Sequence, residues 1–445
     1  MNQTAAIILG AGMGTRMKSA LPKVMHHIAG RPIINWLIES LDKIEVAKKV
    51  VVISPEMNAL TEQFKPATTV FQKERLGTGH AVLMAKDELQ SFKGNVLVLF
   101  GDSPFITSET MAKMIKIREE GASVVVLGFR PVNPAQYGRL IVQNNELEAI
   151  VEFKDASEEQ RQIRLCNSGV MCIDGEKLFD LLAQVKNDNN QGEYYLTDIV
   201  QIANSKGLIC KVVEAPEEET EGVNSRVDLA RMEQRIQAKL RRKAMENGAT
   251  LINPETVTFS FDTKLGKDVV IEPFVVFANG VEVKDNVTIK AFSHLEGAVV
   301  EKGAIIGPFA RLRPQAKIGE NVHIGNFVEI KKATIENGAK VNHLSYIGDA
   351  RVGEKTNIGA GTITCNYDGY FKSFTDIGKN VFIGSNTCMV APVVIGDGAM
   401  TGAGSVITKN VAENDLALSR SDQKNYDKWA VSYRATKQNL KDKKV

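Results

Sequence analysis

The chain has 445 residues, 43% hydrophobic and 24% charged, long enough for two or three domains with their own cores. Its 55 basic and 53 acidic side chains leave a net charge of +2, which excludes an overall field favouring nucleic acid. No run reaches the roughly 18 apolar residues of a membrane span, the N-terminus lacks signal-peptide features, and five scattered cysteines without a CxxC pair argue for reduced thiols in a cytoplasmic protein, against a disulfide scaffold or zinc site.

The first element is an apolar run, Ala5-Ala6-Ile7-Ile8-Leu9, that reads as a buried parallel strand. It enters a turn with glycines at 10, 12 and 14, which lets backbone N–H groups approach a ligand. Arg16 and Lys23 add positive charge beside that turn, a combination suited to a nucleoside triphosphate. The turn lacks the Lys-Ser/Thr pair of a P-loop, and Met17 stands where a dinucleotide fingerprint needs its third glycine. Gly14-Thr15-Arg16-Met17, with Pro22-Lys23 following, resembles the nucleotide-binding opening of sugar nucleotidyltransferases.

Further apolar runs at Val50–Ile53, Val96–Phe100 and Val124–Leu127 suit central parallel strands, with amphipathic helices between them at Ile33–Leu41 and His80–Leu89. This predicts a doubly wound α/β domain with its ligand at the C-terminal strand ends. Asp102 follows such an end and suits a hard cation, with the cap of the next helix as the lesser alternative. One long amphipathic helix is expected over 225–247, closed by Gly248. The domains are therefore expected at 1–224 and 249–445, with 225–248 as the linker helix.

After Asn253 the apolar period becomes six: Leu265, Ile271, Phe277, Val283, Ile289 and Leu295, then, after one-residue slips, Val300 to Ile330, Ile335 to Ile347 and onward to Thr401. Sustained hexads predict a parallel β-helix of triangular coils, with a loop thrown out over Cys365–Asp376. Arg313 and Lys331, one coil of eighteen residues apart, are expected to stack on one face. The basic tail, Lys437 to Lys444, reads as a disordered end.

The coil stretches Gly307–Pro314, Gly325–Lys332 and Gly359–Gly369 resemble the family of bacterial bifunctional N-acetylglucosamine-1-phosphate uridylyltransferases/glucosamine-1-phosphate acetyltransferases. Leu76–His80, Tyr137–Arg139, Gly192–Asp198 and Glu221–Asn224 agree, and the resemblance covers essentially the whole chain. It implies a left-handed β-helix, and UDP-N-acetylglucosamine synthesis in two steps for peptidoglycan and, where present, lipopolysaccharide. Acetyl-CoA acetylates glucosamine 1-phosphate, then UTP transfers UMP to the product. For the uridylyl site it implies Arg16 and Lys23 as catalytic cations. The nucleotide would contact Leu9, Gly10, Ala11, Gly12, Gln72, Gly77, Thr78, Phe100 and Gly101. The N-acetylglucosamine unit would contact Gly138, Glu152 and Asn167, and Asp102 and Asn224 would hold Mg²⁺. For the acetyl site it implies His343 as general base, matching the chemical need for a group that removes a proton near neutral pH. Arg313, Lys331, Tyr346, Asn357 and Lys372 would bind the acceptor sugar phosphate. Ala360, Asn366, Tyr367, Ser385, Ala403 and Arg420 would bind acetyl-CoA. A homotrimer with shared acetyltransferase sites is expected.

Two other readings stay open at this level. The β-helix could merely trimerise or regulate a monofunctional nucleotidyltransferase. A zinc-binding coil would need a histidine cluster, whereas His294, His323 and His343 are spread over different coils.

Overall fold

A computed structural model describes residues 3–134, 136–189 and 191–443. The chain divides into two compact units, Met1–Ala238 and Lys239–Val445, and the division falls inside the helix Arg226–Glu246.

The first unit is built on one twisted sheet. Its strands are β1 (Thr4–Leu9), β2 (Lys48–Ile53), β3 (Thr68–Phe71), β4 (Asn95–Phe100), β5 (Val124–Phe129), β6 (Cys166–Asp174) and β7 (Cys210–Ala215). The order is β7-β5-β6-β4-β1-β2-β3, and a hairpin of Arg139–Gln143 and Glu146–Val151 extends from β6. Buried aliphatic side chains fill β1, β2, β4 and β5, as a sheet covered on both faces requires. The expected parallel core holds for β1, β2 and β4. It holds for β5 as well, which pairs in parallel with β7, but one antiparallel strand is inserted: β6 lies between β4 and β5 and runs antiparallel to both. Its polar start, Asn167-Ser168-Gly169, carries a register shift against β5 and masks the apolar run that follows. The single helix expected over His80–Leu89 is two short ones, Thr78–Leu83 and Lys86–Leu89.

The second unit is a left-handed parallel β-helix. Its faces are ladders of very short parallel strands, and coils advance by 17 or 18 residues, as in Thr288↔Ile305 and Ile305↔His323. Inward residues such as Ile271, Ile289, Ile306, Ile324 and Val341 are almost wholly buried, each contributing about 1.5–3 kcal/mol of burial. The one-residue slips fall at corners: Glu329–Ile335 and Tyr346–Val352 each run round a corner as one strand. The excursion is shorter than expected. Cys365, Thr375 and Asp376 are strand residues, and only 366–374 leaves the coil. The tail is also corrected, because Trp429–Asp442 is an exposed helix. Lys444 lies outside the described residues.

Candidate active sites

At the C-terminal ends of β1 and β4 lies a cavity of about 310 Å³. It brings together Leu9, Gly10, Ala11, Gly12, Lys23, Gln72, Gly77, Thr78, Phe100 and Asp102. Two close backbone approaches shape it. Gly14 has φ +61°, and a Cβ there would stand 2.6 Å from the Cβ of Lys23. Gly77 has φ +106°, and a Cβ would stand 2.6 Å from the carbonyl oxygen of Tyr194. Glycine is therefore required at both positions. The segment around Gly77 is pinned by Gly79 N–H to Tyr194 O (2.8 Å), Tyr194 N–H to Leu76 O (2.7 Å) and Leu196 N–H to Thr78 Oγ1 (3.0 Å). Gln72 is buried and donates from Nε2 to Gly77 O at 3.2 Å. Gly101 N–H donates to Leu9 O at 2.9 Å, tying the two strand ends together.

A second cavity of about 300 Å³ adjoins it, sharing Thr78, Phe100 and Glu193. It contains Glu152 and Asn167. Gly138 belongs beside them: Asn167 N–H donates to its carbonyl at 2.9 Å, and a Cβ on Gly138 would be 3.4 Å from Glu152 Oε1. Burial, then the carboxylates of Asp155 and Asp198, pushes the Glu152 carboxyl above its ordinary range.

Beside the first cavity, the Lys23 ammonium hydrogen-bonds Asp102 Oδ2 and lies 3.3 Å from Asn224 Oδ1, which also accepts from Arg16 Nη2 at 3.0 Å. Oxygen atoms of Asp102 and Asn224 thus converge on one positively charged group. An all-oxygen pair that already holds a cation fits Mg²⁺, which takes few protein ligands and completes its shell with phosphates and water. Among the described residues no cluster of three or more His, Cys, Asp or Glu forms a metal cage.

On the β-helix, His343 ends the strand Lys340–His343 and pairs with Asn326 of the preceding coil. Asn326 Oδ1 can only accept and lies 3.2 Å from His343 Nδ1, so in the neutral ring that nitrogen is the one that carries the proton and Nε2 the one with the lone pair. Backbone bonds continue the same column. Gly361 N–H donates to His343 O, Asn386 N–H to Ala360 O, and Gly404 N–H to Ser385 O; Arg420 Nη1 then reaches Ala403 O at 2.8 Å. His343, Ala360, Ser385, Ala403 and Arg420 therefore share one edge of the coil.

The far edge of the next face carries the expected cations. Leu312 pairs with Ile330, which stacks Arg313 and Lys331. Arg313 Nη1 meets Glu329 Oε1 at 2.8 Å, and Lys331 Nζ lies 3.6 Å from Asp349 Oδ2. Tyr346 pairs with Glu329, and its phenol lies over Gly348, where a Cβ would collide with it. Asn366 Nδ2 donates to Asp349 Oδ2 at 2.5 Å and anchors the excursion to this cluster. Lys372 and Tyr367 face each other across the excursion and are exposed. Asn357 is not brought here. It lies on the face of Lys340 and Phe382. His294 and His323 also lie on different faces.

Sequence reasoning missed Glu193, the carbonyl clamp of Tyr194, Asn326, Glu329 and Asp349. Only Asn326 carried a usable signal, its position 17 residues (one short coil) before His343.

Fold and clusters together define a class: a nucleotidyltransferase α/β unit continued in one chain by a hexapeptide-repeat β-helix. Residues 6–189 match the MobA-like NTP transferase domain, 294–367 the GMPPB C-terminal domain, and 262–297 and 374–409 the bacterial transferase hexapeptide repeats. The chain is 56% identical to the Bifunctional protein GlmU of Paramagnetospirillum magneticum, covering 100% of this chain and 99% of that one. It is 58% identical to the Bifunctional protein GlmU of Rhodospirillum rubrum, covering 100% of both. A solved inositol-1-phosphate CTP transferase from T. maritima, covering 53% of this chain and 97% of its own at 18% identity and TM-score 0.44, is too distant to bear on it. The chain belongs to the GlmU family.

Proposed function

We propose that the chain makes UDP-N-acetylglucosamine by two transfers, one in each unit. The observation that carries this reading is the presence of two separate built clusters in one chain. One is a glycine-walled cavity with converging cations, and the other a histidine with a fixed tautomer at the head of a column of small residues.

In the first unit, a phosphate oxygen of N-acetylglucosamine 1-phosphate attacks the α-phosphorus of UTP, and the bond to pyrophosphate breaks. The nucleophile is already ionised, so the task is to neutralise charge. Arg16 and Lys23 supply positive charge, Gln72 and the backbone at Gly77 read the base, and Glu152, Asn167 and Gly138 hold the sugar. Asp102 and Asn224 would hold Mg²⁺, which supplies charge neutralisation at the phosphates. Nucleotide binding then requires Lys23 to release Asp102 and turn to the phosphates.

In the second unit, the 2-amino group of glucosamine 1-phosphate attacks the thioester carbonyl of acetyl-CoA. His343 Nε2 accepts the amine proton, the C–S bond breaks, and the coenzyme thiol leaves. Ala360, Ser385 and Ala403 keep the column shallow for the coenzyme, with Arg420 at its end; Asn366 and Tyr367, on the excursion at the opposite edge, would reach the coenzyme from a neighbouring copy. Arg313, Lys331, Tyr346 and Lys372 bind the sugar phosphate, and Asn357, on the face whose strand ends in His343, joins the site from the side of that histidine.

We infer a homotrimer for this second site. In one chain His343 and the Arg313–Lys331 pair stand at opposite edges of a face, on the order of 10–15 Å apart. The amine and phosphate of the acceptor leave adjacent ring carbons, and a second copy packed beside that face would enclose the acceptor between the two. Beside His343 a ladder of half-exposed phenylalanines, Phe274, Phe292, Phe309 and Phe327, stacks at 5.0–5.1 Å. All four adopt left-handed φ of 56–61°. Bulky residues rarely take that conformation, and an exposed aromatic seam of this kind suits burial against another copy.

The test is a crossed pair of variants. Asp102→Ala should abolish uridylyl transfer and leave acetyl transfer near wild type. His343→Ala should lower acetyl transfer by ~10²–10⁴-fold and leave uridylyl transfer intact. Loss of both activities in either folded variant refutes two independent sites.

A further inference from the structure

Three of the residues given roles in uridylyl transfer come from separate segments: Arg16 from the turn Thr15–Met17, Lys23 from the turn Lys23–Met25, and Asn224 from the segment before the long helix. Neither short turn has a side-chain cap. Something outside them must fix their relative positions, because a displacement of about 1 Å in such a site costs on the order of 10²-fold in rate.

One residue links all three: it opens the helix that follows Asn224, and its side chain reaches the other two segments. Arg226 is the first residue of the helix, two beyond Asn224. Its Nε donates to the carbonyl oxygen of Met17 at 3.2 Å, one residue after Arg16. Its Nη1 lies 3.2 Å from Nδ1 of His26, directly after the Lys23 turn. His26 is buried, and its N–H donates to Lys23 O at 3.3 Å. Burial first, then Arg226, lowers the His26 pKa, so the ring is neutral and Nδ1 accepts from the guanidinium. Nε2 has no hydrogen-bond partner in good geometry, although the Leu21 backbone lies near enough to oppose that lowering in part. On the helix side, Asp228 Oδ2 accepts from the N–H groups of Asn224 (3.1 Å) and Ser225 (2.9 Å), which holds Asn224 to the same helical turn.

We propose that Arg226 is a positioning residue for uridylyl transfer: its guanidinium, held between Met17 O and His26 Nδ1, sets the spacing of Arg16, Lys23 and Asn224. It touches no reacting atom. The fork suits the task because one planar group offers donors in fixed directions, which a lysine ammonium cannot match. The inference rests on the uridylyltransferase reading of the first unit.

The test uses full-length protein carrying Arg226→Ala, Arg226→Lys or His26→Ala. Each preparation is assayed for uridylyl transfer, acetyl transfer, melting temperature, and UTP binding by calorimetry with and without magnesium. Removing a group that orients a site's ligands typically costs 10–100-fold. Arg226→Ala should lower uridylyl kcat by about that factor, with KM for N-acetylglucosamine 1-phosphate changed less than about threefold. UTP binding should lose much of its magnesium dependence, because the helix that carries Asn224 is no longer held in register with the Arg16 and Lys23 turns. Arg226→Lys should recover part of the rate through either single contact. His26→Ala should fall between, and it carries the test if Arg226→Ala does not fold. Acetyl transfer should be unchanged throughout.

Uridylyl kcat within twofold of wild type in Arg226→Ala overturns the proposal. So does a rate loss matched by a fall in melting temperature that Arg226→Lys repairs completely, since that would mark a purely structural contact. A wild-type protein without uridylyl transfer would instead overturn the functional reading on which the inference rests.

Discussion

Replacing the glycines of the first turn one at a time separates what the fold needs from what the nucleotide needs. At Gly14, alanine would keep φ near +61° at a cost of roughly 1–2 kcal/mol. Its Cβ would also lie 2.6 Å from the Cβ of Lys23, about 1 Å inside ordinary contact, and the nearest backbone atom, Lys23 Cα, is at 3.5 Å. The turn must therefore open by that amount and carry the Lys23 ammonium away from Asp102 and Asn224. The backbone cost alone lowers the melting temperature of a unit this size by about 2–8 °C. The displacement should lower uridylyl kcat/KM by ~10²-fold, with acetyl transfer unchanged. At Gly10, a Cβ meets Val52 O at 3.4 Å and side chains at 3.7 and 3.8 Å. Gly10→Ala should leave both stability and activity near wild type. At Gly12, a Cβ meets nothing in the protein within 4 Å. Gly12→Ala should melt like wild type yet weaken UTP, because Gly12 lines the nucleotide cavity and its Cβ would enter space open to the ligand. The assays are steady-state uridylyl transfer, UTP binding and thermal melting on the three variants. Wild-type kcat/KM in Gly14→Ala, or equal damage from all three, would refute the reasoning.

Glu152 gives a pH prediction. Its carboxyl is held above the ordinary range by burial and by Asp155 and Asp198, so the ionised form that would accept sugar hydroxyls is lost as pH falls through that raised value. KM for N-acetylglucosamine 1-phosphate should rise on the acid limb, and Glu152→Gln should flatten it. The sign for stability is opposite: the folded state favours the protonated acid, so this contribution is fully present below the unfolded pKa and is lost as pH rises through the folded one. A Glu152→Gln profile identical to wild type would contradict the assignment. On the β-helix, Gly348→Ala should push the Tyr346 phenol aside and raise KM for glucosamine 1-phosphate with little change in acetyl-CoA binding. An unchanged KM there would remove Tyr346 from the sugar site.

The β-helix was legible because its code is local. An inward aliphatic every six residues defines the coil, and the slips mark corners, where Glu329–Ile335 and Tyr346–Val352 turn without a break. The first unit was legible where apolar runs are continuous, as in β1, β2 and β4. It was illegible at β6, where Asn167 and Gly169 line the second cavity and Ser168 between them bonds the Leu127 carbonyl, at the start of a strand whose remainder is core. A strand that serves both roles loses the pattern that identifies strands. The tail was misread for a related reason. Trp429–Asp442 has helical geometry with no buried residues, so no alternation between core and solvent faces reveals it.

The site residues show a sharper limit. His343, Ala360, Ser385, Ala403 and Arg420 follow one another at intervals of 17, 25, 18 and 17 residues. Three intervals are the length of a coil and one is not. The long interval spans the excursion 366–374, which leaves the strand ending at Cys365 and returns at Thr375. The chain closes that gap with Ser373 N–H to Asn366 O at 2.9 Å and with Asn366 held by Asp349. Beyond it the ladder resumes one rung up, with Asn357 beside Phe382. The column is continuous in space because the excursion begins and ends on the same rung, and spacing in the sequence carries no trace of that closure. The same excursion carries Asn366 and Tyr367, and Asn366 ties it to Asp349 beside the Lys331 ammonium. The insertion that hides the site from a periodic reading is also what supplies part of it, which is why loops inserted into regular scaffolds are where chemistry concentrates.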